Sequence, residues 1–239
     1  MSERKTAIVT GAGSGVGQAV AVELVKQNWN VAILGRRESA LRETVELAGP
    51  EHADRFLVLP CNIGDPGEVE AMGRAVQEKW GAVQALVNSA GTNTKNRSFD
   101  VLSTDDFREI IDVNLNGSFY CAQAVLPGMR EQKSGTIVNI VSEAGLWANT
   151  KSGASYICAK FGQSGLAKAI NAEERPNGIR ACAIYPGDIN TPLLDKRPNP
   201  PALELRPKML QPADLVACVM LCLNLPPNAV AEEILLRPA

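Results

Sequence analysis

Thr6-Ala7-Ile8-Val9-Thr10-Gly11-Ala12-Gly13-Ser14-Gly15-Val16-Gly17 is the stretch on which the fold turns. A short apolar run enters a glycine-rich turn. From Val16 to Asn28 the apolar positions then take helical spacing, at Val16, Ala19, Val20, Ala21, Leu24 and Val25. An uninterrupted apolar run bounded by a turn predicts a strand buried on both faces. Glycines at such a junction let the chain turn tightly, let backbone approach a pyrophosphate, and let helix pack closely on strand. The helix N-terminus adds free N–H groups and the positive end of its dipole. Gly11, Gly15 and Gly17 are spaced Gly-x-x-x-Gly-x-Gly. Gly13 also allows Gly-x-Gly-x-x to be read from Gly11, with Val16 in the last place.

The same alternation continues along the chain. Strands are expected at Val31–Leu34, Phe56–Leu59, Ala85–Val87, Thr136–Val141, Arg180–Tyr185 and Glu233–Leu236. Helices are expected at Glu38–Leu47, from Asp65-Pro66 onward, Asp105–Arg130 (bent near Gly117 or Pro127), Ala154–Arg175 and Ala213–Leu223. Strands alternating with helices predict an α/β, doubly wound parallel sheet of the Rossmann kind, about seven strands with helices on both faces. The 239 residues are expected to form one domain over residues 1–239, with a proline-rich stretch at 193–212 too long for an ordinary connection.

A net charge of -2 with scattered basic residues gives no support for nucleic-acid binding. No apolar run reaches the length of a membrane span. Met1-Ser2-Glu3-Arg4-Lys5 runs straight into the first strand, leaving no room for a secretion signal. The six cysteines sit mostly in apolar segments, have no paired metal spacing, and read as buried, reduced thiols of the cytoplasm. Cys218 and Cys222 share a helical face, but His52 is the only histidine, so no metal site is expected.

Two features point to chemistry. The second strand ends at Leu34-Gly35-Arg36-Arg37. An acid about 20 residues beyond the glycines would bind the ribose 2′-hydroxyl of NAD. Gly35 stands near that place, and Arg36 can meet a 2′-phosphate and stack on adenine. NADP is therefore expected, with NAD the second choice; a solvated helix start is the plainer reading of Arg36 and Arg37. Further on, Tyr156 and Lys160 lie four apart on one helical face. There the ammonium can favour the phenolate and lower the tyrosine pKa toward the working pH.

With Ser142 ending an apolar run just before Tyr156, the chain resembles a short-chain dehydrogenase/reductase of the one-domain type, from Thr6 to Pro238. Asn88-Ser89-Ala90-Gly91 is similar to the family's Asn-Asn-Ala-Gly, with serine in second place. Tyr185-Pro186-Gly187-Asp188-Ile189-Asn190-Thr191-Pro192 resembles the segment that embraces the nicotinamide. Cys61-Asn62-Ile63 stands where the family often has aspartate near the adenine.

The resemblance implies Asn114, Ser142, Tyr156 and Lys160 as the catalytic set. Tyr156 would move the proton, Ser142 would hold the substrate oxygen, Lys160 would also bind the nicotinamide ribose, and Asn114 would anchor a water. It implies cofactor contacts at Gly11, Ser14, Gly15, Val16, Gly17, Arg36, Arg37, Asn62, Ile63, Asn88, Ala90, Gly91, Tyr156, Lys160, Pro186, Gly187, Ile189 and Thr191. It also implies a homo-oligomer, tetramer or dimer. The expected reaction is NADP-dependent hydride transfer with a small-molecule ketone or secondary alcohol.

Pocket walls are expected from Glu143, Leu146, Trp147 and Asn149, from Asn93 to Lys95, and from a lid over Leu193 to Met209. Lys196 and Arg197 could meet a phosphate or carboxylate, or simply face water. Other readings stay open: a silent dinucleotide-binding sensor or scaffold, and a lyase or epimerase using the same tyrosine and lysine.

Overall fold

In the computed structural model, residues 4–239 are described. Met1, Ser2 and Glu3, on which the expectation about a secretion signal falls, lie outside the described residues. Seven strands among them form one parallel sheet: β1 (Thr6–Thr10), β2 (Asn30–Gly35), β3 (Phe56–Pro60), β4 (Ala85–Asn88), β5 (Gly135–Ile140), β6 (Ile179–Pro186) and β7 (Glu233–Leu236). Their order across the sheet is β3-β2-β1-β4-β5-β6-β7. The helices are α1 (Gly15–Lys26), α2 (Glu38–Ala48), α3 (Pro66–Trp80), α4 (Thr104–Ile111), α5 (Gly117–Glu131), α6 (Ala154–Glu174) and α7 (Pro212–Asn224).

Strand pleating divides the core into two layers. Ala7 and Val9 of β1 join Val31, Ile33 and Val87 on one face, packed against Val20 and Leu24 of α1, Leu41 of α2 and Leu215 and Val219 of α7. Ile8 points the other way. With Ala32, Leu34 and Leu86 it packs on Met72 of α3, Val125 of α5 and Ile170 of α6. Burial on both sides is why these strands read as continuous apolar runs. The fold class is the one the sequence predicts. The order reverses between β1 and β4, which opens a crevice at their carboxyl ends.

Two local features differ from expectation. The long helix spans Thr104 to Glu131, but its irregularity is a π turn at Asp112–Asn116, one step before Gly117, while Pro127 is carried inside α5. At that turn the Asn114 amide is drawn onto the Thr92 backbone, taking its N–H at 2.7 Å and giving to its C=O at 2.9 Å. A side chain engaged outside the helix is a physical reason for the ladder to widen there. The cysteines are all free, yet Cys158 is exposed on α6 rather than buried.

Candidate active site

The crevice is a cleft of about 610 Å³ running from Arg36 and Arg37 after β2 to Tyr156 on α6. That volume is in the range of small-molecule and cofactor sites. At its floor, Gly11 has φ +66°, and a Cβ there would lie 2.7 Å from Ala90 Cα. Only glycine lets the β1 turn lie this close to the turn after β4. Thr10 Oγ1 accepts from Ser89 and Ala90 N–H at 3.0 Å each, which fixes Asn88-Ser89-Ala90-Gly91 against β1 despite the serine. Gly17 does not line the cleft. A Cβ on it would sit 2.5 Å from the Gly11 carbonyl oxygen, so its part is to seat α1 on the turn.

The start of α1 fits a phosphate. Ser14 is its N-cap in extended conformation and makes no side-chain capping bond, and the first turn carries no acid. The leading N–H groups are therefore left for a ligand, with the dipole favouring an anion. Gly13, Ser14, Gly15 and Val16 border the cleft there. At the far end Arg36 is exposed and lies 3.6 Å from Glu109, a weak surface pair that a phosphate could replace. Asn62, Ile63, Ala90, Gly91, Pro186, Gly187, Ile189 and Thr191 also line the cleft, Thr191 lying beside Gly15 at the start of α1. These residues fit a dinucleotide. Asn88 lies beneath, buried, giving to Asn139 Oδ1 at 3.0 Å and the Ser118 carbonyl at 3.3 Å.

Tyr156 and Lys160 project from α6 into the cleft, with Lys160 Nζ 5.6 Å from the Tyr156 ring centre. Ser142, just after β5, caps the short turn Glu143–Gly145 by accepting from Ala144 N–H at 3.1 Å, and its hydroxyl acts on the Tyr156 phenol, favouring the phenolate. Lys160 Nζ gives to the Ile140 carbonyl at 2.9 Å and to Gln163 Oε1 at 2.7 Å. Gln163 Nε2 in turn gives to Ser118 Oγ at 2.7 Å, which gives to the Asn114 carbonyl at 3.1 Å. Asn114 itself stays below the cleft with its side chain taken up by Thr92.

The electrostatics differ from the sequence expectation. Burial holds the Tyr156 phenol above its ordinary range. The Ser142 hydrogen bond, then Arg197 and Arg97, pull it down, and Asp188 pushes it up. Lys160 contributes little because burial has lowered its own pKa to about 7. An ammonium in an apolar wall gives up its charge before it can impose it on a neighbour.

On the substrate side, Glu143 lines the cleft. Trp147 and Asn149 fall outside the lining. Trp147 lies under the Arg237 guanidinium at 4.9 Å, and Asn149 Oδ1 is spent on Ser152, accepting from its N–H at 3.0 Å and its hydroxyl at 2.8 Å. Arg97 and Lys151, which sequence reasoning missed, do line it. Nothing local marks them, since both lie on loops without periodicity. Residues 193–212 carry two short 3-10 turns ending at Lys196 and Lys208, and Leu210 bridges to Ile189.

The family model described as short chain dehydrogenase matches residues 5–201. An uncharacterized oxidoreductase of Staphylococcus aureus is 32% identical over 98% of this chain and 97% of its own. A 3β-hydroxysteroid dehydrogenase of Mediterraneibacter gnavus is 34% identical over 81% of this chain and 69% of its own. Among solved structures, the closed form of a serine dehydrogenase complexed with NADP+ superposes with a TM-score of 0.88 at 26% identity, covering 98% of this chain and 94% of its own.

Proposed function

The chain belongs to the short-chain dehydrogenase family, and from that premise we propose that it is an NADP-dependent enzyme acting between a ketone and a secondary alcohol, with Tyr156 as acid and base. One observation carries the reading: Tyr156, one helical turn from Lys160, lines with Ser142 the end of the same cleft that begins at the uncapped α1.

Bound nicotinamide supplies the hydride. Every other task falls to the chain. Ser142 directs the substrate oxygen, and Tyr156 gives it a proton as negative charge grows. A phenol held above its ordinary pKa is protonated at neutral pH, which suits the reductive direction. Lys160, fixed by Ile140 and Gln163, would bind the ribose hydroxyls of the cofactor. Backbone N–H groups at α1 hold the pyrophosphate, and Arg36 takes the 2′-phosphate in exchange for Glu109, which favours NADP over NAD. NADP+ in the serine dehydrogenase neighbour supports the same choice. Residues 193–212 act as the substrate lid.

The protein assembles as a homo-oligomer, a tetramer or dimer. Phe107 on α4, Phe119 on α5 and Phe161 on α6 are 37%, 46% and 45% exposed, an apolar surface that supports pairing of these helices. Light scattering behind size exclusion measures it. The reaction is tested by following NADPH consumption against a panel of ketones. Tyr156→Phe is expected to lower turnover by about 10²-fold or more while leaving NADPH affinity within about threefold. Equal activity in that variant overturns the role of Tyr156. A protein that binds NADPH yet reduces none of a broad panel is the silent sensor instead.

A further inference from the structure

The substrate half of the cleft carries charge that hydride transfer does not require. Arg97, Lys151 and Arg197 line it, facing two carboxylates, Asp188 and Glu143. Both carboxylates are already engaged. Asp188 lies 2.6 Å from Arg197 and 3.2 Å from Lys151, and Glu143 lies 3.3 Å from Lys151 and 3.6 Å from Arg237.

Arg97 stands apart. It is only 5% exposed, and among the described residues no carboxylate pairs with it. Its Nε gives to the Thr94 carbonyl at 2.7 Å, one terminal nitrogen to the Lys151 carbonyl at 2.9 Å, and the other to the Lys196 carbonyl at 2.6 Å. Three neutral acceptors orient the guanidinium without cancelling its charge. Of its five N–H groups, one on each terminal nitrogen is left over. The titratable groups that act on it are Arg197, of like sign, and Tyr156, whose phenol is neutral at pH 7 and cancels none of the charge. A buried, unpaired cation is costly, and a ligand anion removes that cost.

We infer that the substrate is an anion: a ketone or secondary alcohol that also carries a carboxylate or phosphate, seated against Arg97 and Arg197 while its reacting oxygen meets Tyr156 and Ser142. This rests on the dehydrogenase reading of the same cleft. A neutral substrate would leave the buried Arg97 uncompensated. An anionic group supplies the charge-assisted hydrogen bonds that the two spare N–H groups lack.

The test uses pairs that share a ketone and differ in whether they carry an anionic group: 4-oxopentanoate and its methyl ester, 3-oxobutanoate and its methyl ester, dihydroxyacetone phosphate and dihydroxyacetone. Binding to the full-length protein saturated with NADP+ is measured by calorimetry, and NADPH consumption is followed separately. At least one anionic member should bind about tenfold or more tightly than its neutral partner. Whether that is an oxo acid or the phosphate identifies the anion. Arg97→Gln should bring the ratio to within about twofold of unity; where that variant does not fold, Arg197→Gln is read the same way. Equal binding of the neutral members, no binding of any anionic member, or a ratio that survives both substitutions overturns the inference. Anion preference without turnover leaves it standing and defeats the dehydrogenase reading. Turnover of neutral ketones without preference does the reverse.

Discussion

In the proposed function, burial of Lys160 bears directly on cofactor binding. Its ammonium sits in an apolar wall with a pKa lowered to about 7, so in the free protein it is charged below that value and neutral above it. Ribose hydroxyls that accept from the ammonium favour the charged form and raise this pKa. Above about pH 7, NADPH binding should therefore draw in a proton, and its affinity should fall as pH rises. Calorimetry at pH 8 in two buffers of different ionisation enthalpy measures the proton; Lys160→Met should show none. The Tyr-x-x-x-Lys spacing is plain in the sequence because four residues make one helical turn. The state of charge is not, because it depends on the packing that buries the ammonium and on the Ile140 carbonyl, which β5 brings to it from 20 residues away.

At the scale of elements, α6 is anchored to β6 by one side chain. Asn171 Nδ2 gives to the Ala181 carbonyl at 2.9 Å, and Asn171 Oδ1 accepts from Ala181 N–H at 2.7 Å. β7 begins pairing only at Ala183, so Asn171 stands in for the missing strand at Ala181. Asn171→Ala should orphan a buried N–H and C=O and cost about 2–4 kcal/mol. For a chain of this size that lowers Tm by about 4–16 °C in a thermal melt. A fall under a degree would show that water replaces the amide. The strands and helices themselves were legible to within two residues, since apolar runs and helical spacing are local properties. The π turn at Asp112–Asn116 was not, because it coincides with Asn114 reaching Thr92 on a different element.

The whole molecule places the uncapped start of α1, Tyr156 with Lys160, and Arg97, Lys151 and Arg197 along one crevice at the reversal of strand order. A ligand that spans it should stabilise the fold as a unit. At about 100 times its Kd, NADPH adds about 2.7 kcal/mol, which corresponds to a rise in Tm of about 5–10 °C. NADH at the same concentration should give a smaller rise, and Arg36→Ala should narrow the difference. Equal shifts from both cofactors would remove the case for NADP.

From the sequence alone came the strand-turn-helix opening, the parallel sheet, and the tyrosine and lysine on one helical face. Each depends on neighbours within a turn or two, so order along the chain suffices to state it. The tertiary structure alone revealed that burial, not the lysine, dominates the tyrosine's environment, that arginines from two separate loops stand around it, and that Arg97 lacks a counter-charge. Charge and desolvation act through space and depend on what packs nearby, and those distances exist only once residues far apart in the chain have been folded together.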